Sequence, residues 1–145
     1  MSGAQADLAR RAWRAMADVV LDHDRKNAVS EALGLSFARV RALRRLAAQP
    51  HTLRGLAGLL GVDPPYVTLI VDDLEQRGLV QRTPHPDDRR AKLVALTAAG
   101  RAAAARADAI LDEPPAALYD VAADDLAALL RVLERLARSP DGRPR

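Results

Sequence analysis

Three charged residues, Asp88, Arg89 and Arg90, stand between two stretches in which apolar and polar side chains alternate. The flanking stretches are residues 79–83 and 91–96, and alternation with a period of two is typical of β-strands. The segment between them, residues 84–90, has the prolines and aspartates of a turn-rich loop. An arginine on such a hairpin could enter the minor groove of DNA. The plainer interpretation is a surface hairpin whose local ion pairs contribute little.

Two histidine clusters are the other candidates for chemistry. His23 lies between two aspartates, and His85 stands shortly before Asp87 and Asp88, so either cluster could supply metal ligands or an acid–base pair. Neither comes with a glycine-rich cradle, a nucleophile beside a base, or the His-Glu-x-x-His spacing of zinc enzymes. The sequence has no cysteine, which excludes disulfides, thiolate metal sites and thiol-based redox sensing. We therefore expect no enzymatic activity, no metal and no cofactor.

The composition indicates a helical protein. The chain has 145 residues, of which 49% are hydrophobic but only 3% aromatic. Its apolar mass is therefore alanine, leucine and valine, which favour close-packed helices. The length suits one domain, or one domain with helical arms. No apolar run approaches the roughly 18 residues that cross a bilayer, and the polar start lacks a basic signal region, so we expect a cytoplasmic protein with no membrane partner.

Helical periodicity and capping residues predict two helices in the first third of the chain. The first covers residues 7–33, and its polar middle, residues 22–27, could kink it. Gly34 suits its end, since glycine adopts a left-handed conformation without steric cost. Ser36 is expected to cap the second helix, which ends at Gln49-Pro50. The expected apolar stripes are Trp13, Met16, Val19, Val20 and Ala28 in the first helix, and Val40, Leu43, Leu46 and Ala47 in the second.

Two short helices follow, joined by the turn Gly61-Val62-Asp63. Thr52 is expected to cap the first, and Asp63 the second, where Pro64 suits the first helical position because its missing N–H is not needed there. Their apolar stripes are Leu53, Leu56, Leu59 and Leu60, and then Val67, Ile70, Val71 and Leu74, before Gly78 ends the second helix. After the hairpin, Thr97 caps a fifth helix that reaches Pro114-Pro115, and residues 123–138 predict a sixth with leucines at three–four spacing.

Two short helices joined by a three-residue turn match a helix-turn-helix, and the hairpin after them makes it a winged helix. The second short helix would fit a major groove roughly 12 Å wide. The first and last helices would each expose an apolar face in a small monomer, and pairing across a two-fold axis would bury those faces. An intramolecular bundle is the alternative. The expected fold is mainly α with a small β-hairpin wing, a winged helix-turn-helix flanked by N- and C-terminal dimerisation helices.

The wing sequence resembles that of the MarR family of transcription regulators. The resemblance is carried by Asp88-Arg89-Arg90-Ala91-Lys92-Leu93-Val94-Ala95-Leu96-Thr97-Ala98-Ala99-Gly100. It extends to Leu56-Ala57, Val67-Thr68 and Leu74-Glu75-Gln76-Arg77-Gly78-Leu79-Val80, and covers about residues 35–112. The wing motif is specific, because its charged turn, alternating strand and threonine cap follow in one fixed order. The resemblance implies a homodimeric, ligand-responsive transcription regulator.

The resemblance also implies roles for individual wing residues. Arg90 matches the family's minor-groove arginine and Asp88 the acidic residue that orients it, since a carboxylate can fix a guanidinium in one fork geometry. Arg89 would then contact phosphate or the groove. His85, near the wing tip, could touch phosphate or be an ordinary turn histidine.

On the second short helix, the residues expected to face DNA are Pro65, Tyr66, Thr68, Leu69 and Asp72. Thr68 matches a family position that contacts base or phosphate, and Tyr66 could meet a thymine methyl or else pack over the preceding helix. Leu69 and Asp73 depart from the family, which often has basic residues at both positions. These departures leave more phosphate contact to Thr52, Arg54, Arg77 and Arg82.

The resemblance places an effector site between the dimer helices and the winged helix. The residues that could line it are Trp13, Met16, Val20, His23, Phe37 and Arg41, although such side chains are more often core or surface residues than ligand contacts. The expected ligand is a small apolar or phenolic molecule that acts by shifting populations. The expected partners are a second copy of the chain and a pseudo-palindromic DNA operator, with recognition helices roughly 34–36 Å apart. The most specific functional hypothesis is a repressor released by that ligand.

An alternative is a winged-helix module that binds a protein and not DNA. The net charge is +3 overall, and the charges of residues 51–97 cancel, with Asp72 and Asp73 adjacent. The sequence divides, on either interpretation, into an N-terminal dimerisation helix (1–34), a winged helix-turn-helix (35–97), C-terminal dimerisation helices (98–138) and a flexible tail (139–145).

Overall fold

The computed structural model describes residues 2–139 and shows a mainly helical chain with one small antiparallel sheet. In chain order the elements are α1 (Gly3–Asp22), α2 (Lys26–Leu33), α3 (Phe37–Ala48), β1 (His51–Thr52), α4 (Leu53–Leu60), α5 (Pro64–Gln76), β2 (Val80–Pro84), β3 (Lys92–Leu96), α6 (Ala98–Leu111), a 3₁₀ turn (Ala116–Asp120) and α7 (Ala123–Ala137). This confirms the expected winged helix-turn-helix with flanking helices. Of the predicted tail, residues 140–145 lie outside the described residues.

The predicted helix caps are confirmed. The side chains of Ser36, Thr52, Asp63 and Thr97 each accept a hydrogen bond from the backbone N–H three residues on, at the starts of α3, α4, α5 and α6. Each bond satisfies a backbone donor that has no partner within its helix. Gly34 and Gly61 end α2 and α4 with φ of 65° and 66°, the left-handed region in which a β-carbon would be strained. The capping residues thus set where the helices begin and end.

The prediction of one helix over residues 7–33 is wrong, because the chain breaks at His23, Asp24 and Arg25 into α1 and α2. The break is held by side chains. His23 Nε2 lies 2.7 Å from the Glu113 carbonyl oxygen, and Arg25 Nε donates to the Ile110 carbonyl oxygen at 3.1 Å. The Asp24 carboxylate accepts the Lys26 backbone N–H at 2.9 Å. Tertiary hydrogen bonds to the end of α6 therefore override the continuous helical pattern.

Some predicted core positions are also wrong. Ala47 and Leu59 are exposed, and Ala42 and Ala57 are buried instead. The helix α3 packs against α2, α4 and α6, so more than one of its faces is covered and the small side chain of Ala42 is enclosed. Val19 and Val20 are exposed. A single apolar stripe does not describe a helix with neighbours on several sides.

The hairpin is confirmed with its strands shifted by one residue at their starts. β2 and β3 pair antiparallel from Val80 opposite Leu96 to Pro84 opposite Lys92. The two-residue strand β1 pairs with β3 on its other edge, with His51 opposite Val94. The sequence did not predict β1, since two residues are too few to show alternation. This third strand ties the base of the wing to the start of α4.

The core lies among α2, α3, α4, α5, the sheet and α6. Its largest fully buried side chains are Leu43, Leu56, Ile70, Leu74 and five valines, together with Val80 at the start of β2. The described chain forms two compact units whose boundary falls between Glu113 and Pro114. Within residues 2–139 no helix is long and apolar enough to span a membrane.

Candidate nucleic-acid interface

The helix α5 buries one face and exposes the other, as predicted. Val67, Ile70, Val71 and Leu74 are fully buried. The five residues expected to face DNA are all exposed: Pro65, Tyr66, Thr68, Leu69 and Asp72. The Thr68 hydroxyl donates to the Pro64 carbonyl oxygen at 3.0 Å, so its proton is used within the helix while its oxygen can still accept. The side of α5 available to a groove is therefore formed by these five side chains.

Asp73, one of the departures from the family pattern, is held by two arginines. Its Oδ2 accepts from Arg39 Nε at 2.6 Å and from Arg77 Nε at 3.0 Å. The hydrogen bond from Arg39 lowers the pKa of the Asp73 carboxyl, and that from Arg77 adds to the effect, while desolvation acts in the opposite direction. Arg77 Nη1 also donates to the Gly34 carbonyl oxygen at 3.4 Å. These contacts join α5 to α3 and to the end of α2.

Arg82 of β2 pairs with two carboxylates on α5. Its Nη2 lies 2.5 Å from Asp72 Oδ1 and its Nη1 lies 2.6 Å from Glu75 Oε1, with the Arg82 side chain 19% exposed. The hydrogen bond to Asp72 raises the pKa of Arg82 above its ordinary value. Arg82 and Arg77, both predicted phosphate contacts, are thus engaged by α5 carboxylates in the absence of DNA. Each carboxylate of the acidic stretch 72–75 has an arginine partner.

The wing loop is shaped by hydrogen bonds to its own backbone. Asp88 Oδ1 accepts the Arg90 backbone N–H at 3.0 Å, and His85 Nδ1 accepts the Asp87 backbone N–H at 3.0 Å. The carboxylate of Asp88, expected to orient the Arg90 guanidinium, therefore orders the main chain of the loop, as short aspartate side chains do in turns. The exposed guanidinium groups of Arg89 and Arg90 form no hydrogen bond or ion pair with any residue between 2 and 139.

A basic cavity connects the wing to the start of α4. It has a volume of about 380 Å³ and is lined by Thr52, Leu53, Arg54, Arg82, Arg90, Ala91 and Lys92. Arg54 and Lys92 are exposed, and neither side chain has an ionic partner in the described part of the chain. The hydroxyl of Thr52 accepts the Gly55 backbone N–H as the cap of α4. Four cationic side chains therefore line this cavity, which suits a polyanion, and one of them, Arg82, also pairs with carboxylates of α5.

The six expected effector residues do not line one common cavity among the three described. Trp13 and Val20 on α1 are 68% and 70% exposed. Phe37 lies under Lys26, whose Nζ is 5.3 Å from the ring centre, and His23 is bound to the end of α6. Arg41 lines a cavity of about 390 Å³ with Arg44, Arg45 and Asp108, whereas a second cavity of about 500 Å³ on α1 is lined by Leu8, Arg11, Ala12, Arg14, Ala15 and Asp18.

Sequence reasoning missed two residues of this surface. Lys92 was not predicted to contact DNA, because it lies within the alternating pattern of a strand. Its position at the start of β3, opposite Pro84, brings it to the basic cavity. Arg39 on α3 pairs with Asp73 across 34 residues of sequence, a separation that no local pattern shows. A carboxylate at an otherwise basic position of a DNA-facing helix was the one signal that a partner arginine should be sought elsewhere.

Comparisons with known proteins agree with this geometry. A family model described as MarR family matches residues 35–92. RV1404 from Mycobacterium tuberculosis is 25% identical in sequence, with a TM-score of 0.70 over 100% of this chain and 98% of its own. Wild-type MarR from E. coli is 26% identical, with a TM-score of 0.65 over 85% and 94% of the two chains. A probable transcriptional regulator from Pseudomonas aeruginosa is 31% identical, with a TM-score of 0.54 over 77% and 87%.

Proposed function

Because the chain belongs to the MarR family of DNA-binding winged helix-turn-helix transcription regulators, we propose that it acts as a homodimeric repressor. It binds a pseudo-palindromic operator and is released by a small molecule. In this proposal residues 35–97 contact DNA, and the dimer contacts come from the exposed apolar side chains of α1 and α7 within residues 1–34 and 98–138. α5 enters the major groove and the wing loop reaches the adjacent minor groove.

One observation supports DNA contact most directly. The guanidinium groups of Arg89 and Arg90, which have no partner within residues 2–139, lie on the loop next to the basic cavity and α5. The carboxylates of α5, in contrast, are neutralised by Arg39, Arg77 and Arg82. Unpaired cations on the wing loop and paired charges on α5 favour a partner that has a phosphate backbone and base edges exposed in its grooves. Since each of these carboxylates has an arginine partner, the pairing weakens the argument for a protein partner in place of DNA, which came from adjacent acidic residues.

The test of this function is Arg90→Ala, compared with Arg106→Ala. Arg106 is an exposed arginine on α6 with no ionic partner between residues 2 and 139, so its removal changes net charge equally. We expect Arg90→Ala to weaken operator binding by about tenfold and to relax the preference at minor-groove positions, since base contacts are worth roughly 1–3 kcal/mol. Arg106→Ala should bind as the native protein does. Equal operator affinity in a folded Arg90→Ala protein would contradict the wing assignment.

The dimer is supported by the exposed apolar side chains of α1 and α7. On α1 these are Leu8, Trp13, Val19, Val20 and Leu21, and on α7 they are Leu129, Leu130, Val132, Leu133 and Leu136, each at least 38% exposed. Neither helix has a buried residue. Apolar faces of this size usually mark an interaction surface, and a second copy would cover them symmetrically.

The cavity at Arg41, Arg44 and Arg45 supports an effector with an ionisable oxygen. Asp108 already pairs with Arg44 Nε at 2.6 Å, so a phenolate or carboxylate would compete with Asp108 for that guanidinium. Simple phenols and aromatic carboxylates, titrated into the protein–operator complex, test this part of the proposal. We expect these ligands to release the operator from the native protein but not from Arg44→Gln. If they still release the operator from Arg44→Gln, the effector binds elsewhere.

A further inference from the structure

The exposed face of α5 lacks the side chains that usually read bases by hydrogen bonding. In a major groove, guanine is read by arginine or lysine and adenine by asparagine or glutamine. The sequence of α5, from Pro64 to Gln76, contains no arginine, lysine, histidine or asparagine, and its one glutamine is the last residue. The part of α5 that would enter a groove therefore has no guanidinium, ammonium or amide donor, and its only side-chain hydroxyls are those of Tyr66 and Thr68.

The polar groups that α5 does have are largely committed within the protein. The Asp72 carboxylate pairs with Arg82, and the Thr68 hydroxyl donates its proton to the Pro64 carbonyl oxygen. On a helix of 3.6 residues per turn, Leu69 lies between Pro65 and Asp72 at the centre of the exposed face. Leu69 is 62% exposed and Tyr66, one turn before it, is 39% exposed. The centre of the face is therefore an apolar contact point.

A major groove offers one apolar group to such a point, the C5 methyl of thymine. We propose that Leu69, flanked by Tyr66, reads thymine methyl groups, so that sequence preference in each half-site comes from methyl contact and not from hydrogen bonds to guanine. This rests on the proposed function. Cytosine methylated at C5 carries the same methyl group at the same groove position and should be accepted in place of thymine.

The surroundings of Leu69 favour DNA over a protein surface as its occupant. Thr68 and Asp72 interrupt the apolar area on one side, so Leu69 and Tyr66 do not form the continuous apolar patch that a protein interface needs. The cations Arg54, Arg90 and Lys92 line one cavity at the wing, and they complement a phosphate backbone. Leu69, with the apolar Pro65 and Tyr66 one turn before it and the polar Thr68 and Asp72 beside it, offers a small apolar contact that matches a methyl group in a groove.

The test replaces thymine by deoxyuridine, which removes only the methyl group. A duplex is first selected from a random pool with the native protein, and each thymine of one half-site is then replaced in turn. We expect a loss of about fourfold in affinity for each contacted methyl, the factor that corresponds to burying one methyl-sized group at about 0.8 kcal/mol. Exchanging a contacted thymine for 5-methylcytosine, with guanine opposite, should bind about fourfold more tightly than unmethylated cytosine at that position.

Two variants assign the effect to Leu69. In Leu69→Ala the deoxyuridine penalty should disappear, whereas Leu59→Ala, which shortens another exposed leucine (41% exposed) on α4, should retain it. Sequence-specific binding without any deoxyuridine penalty, or a penalty unchanged by Leu69→Ala, overturns the methyl readout and leaves the DNA-binding function in place. Failure to bind any duplex at low ionic strength overturns both proposals. The deoxyuridine measurement uses the native protein and so does not depend on the folding of a variant.

Discussion

The contact between Arg82 and α5 gives the most detailed prediction. Arg82→Gln leaves a shorter polar side chain that can still form hydrogen bonds but removes the charge that pairs with Asp72 and Glu75 at 2.5 and 2.6 Å. The two carboxylates are 58% and 43% exposed, so each pair should contribute about as much as a surface pair, roughly 0.2–1 kcal/mol. We expect the free energy of unfolding to fall by about 1 kcal/mol, a value that allows for two pairs.

The same substitution should weaken operator binding more than it weakens the fold. The cluster of Arg82, Asp72 and Glu75 changes its net charge from −1 to −2 in each protomer, beside the groove that holds phosphates. Two unit charges about 10 Å apart interact by roughly 0.4 kcal/mol in water, and salt screens this only in part at that distance. Summed over a few phosphates and two half-sites, the repulsion amounts to about 1–2 kcal/mol, or about a tenfold loss of affinity.

Urea unfolding and fluorescence anisotropy with labelled operator measure the two effects. The triple variant Arg82→Gln, Asp72→Asn, Glu75→Gln should regain most of the lost affinity, because the unpaired carboxylates are gone. Arg106→Gln is the charge-matched control and should change neither quantity. If Arg82→Gln binds operator as the native protein does, or if the triple variant binds no better than the single one, charge repulsion by the two carboxylates is refuted.

Two further predictions concern the scaffold of the wing and of α5. Because hydrogen bonding from Arg39 lowers the pKa of Asp73, this carboxylate stabilises the fold above its ordinary pKa of 3.8 and loses that effect as the pH falls through its folded value. Asp73→Asn should therefore have a lower urea midpoint at pH 7, and the difference from the native protein should shrink below about pH 4; a constant difference would contradict the ion pairing. A β-carbon on Gly100 would lie 1.9 Å from the Leu79 carbonyl oxygen, whereas one on Gly58 would meet nothing within 4 Å. Gly100→Ala should therefore destabilise the fold by about 2 kcal/mol or more, whereas Gly58→Ala should stabilise it by up to about 1 kcal/mol. Equal melting temperatures for the two variants would refute the close approach of Gly100 to Leu79.

Local signals in the sequence predicted most of the fold. Ser36, Thr52, Asp63 and Thr97 mark helix starts, because a side-chain cap acts within three residues of sequence. The alternation of apolar and polar residues predicted the hairpin for the same reason, because successive side chains in a strand point to opposite faces. The polar stretch 22–27 indicated a kink, but the full break at His23 was not predicted, because its hydrogen bond goes to Glu113, 90 residues away. A contact between residues so far apart in the sequence produces no periodic pattern of apolar residues.

The candidate interface was predictable in part. The exposed face of α5 follows from helical periodicity, and the wing arginines follow from their motif. The engagement of Arg82 by Asp72 and Glu75 could not be read from residue types, because it depends on where β2 passes over α5. The six residues of the expected effector pocket, which come from α1, from the break after it and from α3, line no common cavity among the three described. Residue type alone does not place side chains from separate helices around one ligand.

The most direct test of DNA binding by a protein pair is the salt dependence of operator affinity, measured together with the number of chains bound per duplex. The proposed interface has four cations without an ionic partner within residues 2–139, Arg54, Arg89, Arg90 and Lys92. If all of them neutralise phosphates in a dimer, log affinity should fall with log salt at a slope of about −7, with two chains on each duplex. A flat salt response, or a strictly monomeric protein that binds no duplex at low ionic strength, would contradict this function.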